Sequence, residues 1–66
     1  MTTRSEVTFR VKEYASGKPW IAIQTVRGDL DIEGLLGLDL KDGTTFKQAK
    51  EVADDLNEHV SHVSLT

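Results

Sequence analysis

A chain of 66 residues has room for one domain, because a second core would have to be built from fewer residues than usually fold unaided. With 38% apolar and 29% charged residues it has the composition of a folded domain rather than a disordered tail, and no apolar run approaches the ~20 residues that span a bilayer. Cysteine is absent, which excludes disulfides and thiolate zinc sites and suits a reducing cytoplasm.

The net charge of −3 is unevenly spread. Residues 1–28 carry Arg4, Arg10, Lys12, Lys18 and Arg27 against Glu6 and Glu13, whereas residues 29–66 carry Lys41, Lys47 and Lys50 against nine acidic side chains. The first half is basic and the second acidic, a pattern that bears on partners rather than on fold.

The polar start lacks the apolar run of a signal peptide, and residues 1–5 are expected to form a flexible N-terminus. From Glu6 to Lys12 the chain alternates, with Val7, Phe9 and Val11 on one face and Glu6, Thr8, Arg10 and Lys12 on the other, which predicts a half-buried strand. Ala15-Ser16-Gly17-Lys18-Pro19 then supplies a turn. The run from Trp20 to Val26 is rich in β-branched and aromatic residues and predicts a second strand, closing a hairpin. Its apolar residues occupy both faces, so both are expected to be covered.

Gly28, Gly34 and Gly37 interrupt the next segment, which reads as an irregular connection holding one helical turn. Leu36 to Lys41 alternates again and predicts a third strand. Asp42-Gly43 breaks it, and Thr45 with Gln48 offers a capping box. The helix that follows carries Phe46, Ala49, Val52, Ala53, Leu56 and Val60 on one stripe, and Lys47, Lys50, Glu51, Asp54, Asp55 and Glu58 opposite. It should end near Asn57 to His59, where serine and β-branched residues begin a short terminal strand; the competing reading extends the helix through Val63, which also lies on the stripe, against the serine and β-branched content. The expected class is α+β, in the order hairpin, third strand, helix, terminal strand, with the helix on one face of the sheet as a single domain over residues 1–66.

Few residues suggest chemistry. Asp29-Leu30-Asp31-Ile32-Glu33-Gly34 opens like a calcium loop, but the twelfth position, where a bidentate glutamate belongs, is Leu40. His59 and His62 are two imidazoles, with Glu58 and Asp55 as the only evident additions, and Asp29, Asp31, His59 and His62 are therefore the candidate metal ligands without making a complete set. Ser61 has no nucleophile turn around it, and Gly34-Leu35-Leu36-Gly37 lacks the lysine of a phosphate loop. No catalytic residue and no cofactor is implied.

Interaction is the stronger expectation. Arg10, Lys12, Trp20 and Arg27 make the hairpin basic around an aromatic residue. Asp54, Asp55 and Glu58 crowd the end of the helix, where its dipole favours cations. These residues suit a small non-catalytic protein-interaction module, including one that pairs with a second copy as a homodimer, and no membrane. The alternative is a nucleic-acid-binding module that uses the hairpin, although the negative net charge opposes phosphate. The outward hairpin, the following strand and the helix opening on Asp42-Gly43-Thr44-Thr45 resemble, over roughly residues 6–60, HicB-like antitoxin domains. That resemblance implies a truncated RNase H fold and a toxin as partner. It assigns no residue, and the separate DNA-binding segment such antitoxins often carry has no counterpart in this sequence.

Overall fold

The computed structural model describes residues 3–65. In chain order they form β1 (Thr3–Glu13), β2 (Pro19–Gly28), β3 (Gly37–Asp39), α1 (Phe46–His59) and β4 (His62–Leu65). The strands make one antiparallel sheet in the order β3-β2-β1-β4, and α1 packs on β1 and, to a smaller extent, on β2. This is the α+β arrangement the sequence predicts, and it puts the terminal strand beside β1.

Strand alternation decides which residues meet. Val11 lies opposite Ile21 and Phe9 opposite Ile23, so one face of the hairpin is apolar along its length. Val7, Phe9, Ile21, Ile23, Ile32 and Ala53 form the buried cluster, with Val11, Leu30, Leu40, Leu56, Val60 and Val63 packed at its margin. Each large side chain fully buried in this way contributes about 1.5–3 kcal/mol. Ala49 and Ala53 are the buried residues of α1, and their small size brings the helix axis close to the sheet.

The turn chemistry follows the sequence. Tyr14 N–H bonds the Lys18 carbonyl at 2.9 Å and Gly17 N–H bonds the Tyr14 carbonyl at 2.8 Å, closing the hairpin. The capping box is complete: Gln48 N–H donates to Thr45 Oγ1 at 3.1 Å, and Thr45 N–H donates to Gln48 Oε1 at 3.0 Å. A single turn at Glu33 to Leu35, closed by Leu35 N–H on the Ile32 carbonyl, occupies the irregular connection.

Four local expectations are corrected. Residues 3–5, expected within a flexible N-terminus, are strand, because β4 pairs with Thr3 to Glu6 and fixes them; residues 1 and 2 lie outside the described residues. Ser5 is 1% exposed, and its hydroxyl donates to the Leu30 carbonyl and accepts from Leu30 N–H, both at 2.6 Å. The third strand is only Gly37–Asp39, with Leu36 and Leu38 exposed and Leu40 half-buried beyond it, because α1 lies over β1 rather than β3. Phe46, expected in the core, is 46% exposed, since it stands at the first turn of α1 near the end of the stripe.

The fourth correction is to the expectation that both faces of β2 are covered: α1 packs on one face only, and a β-bulge interrupts the strand. Glu6 pairs with Arg27 and Val7 with Thr25, so Val26 is the extra residue and is exposed. Without the bulge, Arg27 would share the inward phase of Ile21, Ile23 and Thr25. With it, Arg27 turns to the outer face and meets Glu6 at 2.8 Å. Gly28, at φ +138°, ends the strand so close to Ser5 that a Cβ there would lie 2.4 Å from Ser5 Cα.

Candidate functional site

The sheet has one face under α1 and one face with no element over it among the described residues. By alternation the outer face carries Arg4, Glu6, Thr8, Arg10 and Lys12 from β1, and Trp20, Ala22 and Gln24 from β2, with Arg27 joined to it by the bulge. The opposite surface, on α1, exposes Lys47, Lys50, Glu51, Asp54, Asp55 and Glu58. The charge asymmetry along the sequence thus becomes an asymmetry between two faces, basic on the sheet and acidic on the helix.

An aromatic pair sits at one end of the outer face. The rings of Tyr14 and Trp20 stack with centroids 5.3 Å apart at 17°, and Lys12 is paired across from Trp20. Trp20 covers Gly37, where a Cβ would lie 2.6 Å from Trp20 Cζ3, so the absence of a side chain at Gly37 makes room for the ring. Tyr14 donates its hydroxyl proton to Asp39 Oδ1 at 2.5 Å. That bond, then desolvation, then the Asp39 charge raise the Tyr14 pKa above the ordinary 10.0.

The structure brings Arg10, Lys12 and Trp20 together and separates Arg27 from them. Arg27 lies seven residues along β2 from Trp20, roughly 24 Å at strand rise, and is engaged by Glu6. Lys18 pairs with Asp42 at 3.2 Å, with both side chains largely in water, so this contact contributes little to stability. Asp54, Asp55 and Glu58 are exposed on α1, and Asp54 also borders a groove beside β1.

The groove runs between α1 and the edge of β1. Phe9, Arg10, Val11, Lys12 and Glu13 line one side; Phe46, Lys50, Ala53 and Asp54 line the other. It exists because β4 covers only Thr3 to Glu6 of that edge. Val7 N–H is taken by the Ser61 carbonyl at 3.0 Å. At Phe9 the partner is a side chain: Asn57 Oδ1 accepts from Phe9 N–H and Asn57 Nδ2 donates to the Phe9 carbonyl, both at 2.8 Å. The amide of Asn57 thus imitates one residue of a neighbouring strand.

Sequence reasoning did not single out Asn57, Tyr14 or Phe46 as surface features. The one signal for Asn57 was a poor helix former within the last turn of a helix.

The candidate metal ligands stay apart as a set. His59 ends α1 and His62 begins β4; they border one shallow depression together with Arg4, whose charge opposes a cation. Asp29 and Asp31 are exposed in the connection after β2. Among the described residues no group of three His, Asp or Glu side chains is placed to hold a metal ion. Ser61 Oγ lies 2.8 Å from His62 Nδ1, on the surface. No helix among the described residues is long and apolar enough to cross a membrane.

No family model, curated protein or solved structure matches the chain. The likeness to HicB-like antitoxin domains rests on element order and the turn-helix junction at Asp42-Gly43-Thr44-Thr45.

Proposed function

We propose that this chain is a small non-catalytic protein-interaction module that holds an acidic segment of another protein against its basic sheet surface. The observation that carries the reading is the division of charge between two faces, with Arg4, Arg10, Lys12 and Arg27 on the open sheet and the acidic side chains on α1 behind it. Such a division steers a partner of opposite charge to one side of the molecule and repels it from the other. Stacked aromatic rings beside Lys12 add a rigid apolar contact to that surface.

Trp20 is the only tryptophan, and its fluorescence reports on this face. Titration with poly-glutamate at low salt should change that fluorescence, the effect should fade at high salt, and the Arg10→Glu/Lys12→Glu double variant should lose it. Poly-lysine should leave the signal unchanged. Absence of any response to poly-glutamate would end the proposal.

A second reading, single-stranded nucleic acid, is favoured by the Tyr14–Trp20 stack alone, and tighter binding of oligothymidylate than of poly-glutamate would put it first. Sedimentation velocity addresses the homodimer. Concentration-dependent growth at low salt would make the acidic α1 face of a second copy the partner, in a contact that joins unlike faces.

A further inference from the structure

We propose that the acidic partner binds as an added β-strand along the edge of β1 from Arg10 to Glu13, with two acidic side chains spaced by two residues and an apolar residue between them. This rests on the interaction reading above and specifies its geometry.

The odd-numbered residues of β1 point their backbone groups away from β2, as the bonds of Val7 to Ser61 and of Phe9 to Asn57 establish. Val11 and Glu13 continue that series past the last covered position. Each contributes one N–H and one C=O to an edge that neither β4 nor Asn57 reaches. Asn57 ends this open stretch on one side and the hairpin turn ends it on the other, so the site accepts a short segment in one register.

Side chains determine what that segment must be. On the outer face, the positions flanking Val11 are Arg10 and Lys12, both exposed, and neither has a salt-bridge partner among the described residues. A strand laid alongside would place its own outward side chains next to these two cations, and acidic residues satisfy both. Between them the strand's inward side chain would enter the groove over Val11, Phe46 and Ala53, which favours an apolar residue. Lys50 and Asp54, four apart on α1, offset each other along the groove wall.

The same cations exclude the simplest competitor, a second copy pairing through this edge. A two-fold axis at Val11 sets Arg10 against Lys12 of the other copy, and an axis at Lys12 sets that residue against itself. Like charges directly opposite destabilise both arrangements.

Nuclear magnetic resonance titration at low salt, with three synthetic peptides, tests the geometry. The first alternates glutamate and valine, the second has the same composition with its glutamates in one block, and the third alternates lysine and valine. The alternating acidic peptide should bind best, shift the amides of Val11 and Glu13 and slow their hydrogen exchange, and perturb Phe46. Arg10→Glu/Lys12→Glu should weaken it by roughly tenfold or more and transfer preference to the lysine peptide. Val11→Pro removes one outward donor while leaving the β1–β2 ladder its bonds, and should also weaken binding. If that variant does not fold, the exchange rates of the unaltered protein still decide.

Equal binding of the two acidic peptides, with shifts on the outer face and none at Val11 or Glu13, would overturn strand addition and leave the interaction module standing. No binding of either acidic peptide would overturn both.

Discussion

Asn57→Ala isolates the contribution of a side chain that stands in for a strand. In the native chain its amide makes two bonds of 2.8 Å to the backbone of Phe9, across 48 positions of sequence, in a partly buried setting. At about 0.5–1.5 kcal/mol per bond, their loss costs about 1–3 kcal/mol. Alanine returns about 0.6 kcal/mol as a better helix former, so the net destabilisation should be about 0.5–2.5 kcal/mol. For a domain of this size each kcal/mol lowers Tm by roughly 4–8 °C. Denaturant melts should show a lower midpoint at an unchanged m-value, and the Phe9 amide should lose protection while those facing β2 keep theirs. Asn57→Asp should not restore stability fully: a carboxylate accepts from Phe9 N–H but cannot donate to the Phe9 carbonyl. The reasoning is refuted if Asn57→Ala matches the native midpoint and Phe9 exchanges no faster.

Gly37→Ala should push Trp20 from its place, since the new methyl would lie 2.6 Å from Cζ3; a loss of about 1–3 kcal/mol and a shifted tryptophan emission maximum are expected. Ser5→Ala leaves both backbone groups of Leu30 without their partner and should cost about 1–3 kcal/mol in a urea melt, with faster exchange at Leu30. Tyr14 is the only tyrosine, so ultraviolet titration of its phenolate is unambiguous. Its raised pKa means the folded chain holds this proton more tightly than the unfolded chain. The associated stability is complete below the ordinary value of 10.0 and is lost as pH rises through the higher folded value, and Asp39→Ala should remove most of the effect.

Elements whose signals are local were legible in the sequence. The alternation around Val7, Phe9 and Val11, the Thr45–Gln48 capping box and the apolar stripe of α1 each specify their element from a few neighbouring residues, and each is present. What could not be read depends on elements distant in sequence. Arg27 breaks the phase of β2, and only its meeting with Glu6 across the hairpin shows that a bulge resolves the conflict. Phe46 fits the helical stripe, but its exposure depends on where the sheet ends beneath the first turn. Asn57 resembles an ordinary helix-ending residue until Phe9 is placed beside it. The candidate site was half legible: its cations and its acids were plain, while their sorting onto opposite faces required the topology.

The open edge itself follows from the path of the chain after Asp39. Asn57 meets Phe9, Ser61 meets Val7 and His62 pairs with Glu6, so Val60 and Ser61 lead from α1 into β4 without a reversal and helix and strand run consecutively along the same side of β1. A helix of 14 residues covers about 21 Å, close to the roughly 20 Å of strand from Val7 to Glu13. Beside that stretch the chain presents a helix, whose backbone groups are consumed internally and cannot pair with a strand. Asn57 supplies one substitute pairing at the end of α1 nearest β4. Farther along, the side chains facing β1 across the groove are Phe46, Lys50, Ala53 and Asp54, none of which is bonded to the β1 backbone. Strand conformation in the same residues would have closed the edge and removed the apolar stripe that covers Phe9 and Ile23. The domain therefore gains its core from the same choice that leaves Val11 and Glu13 available to another chain.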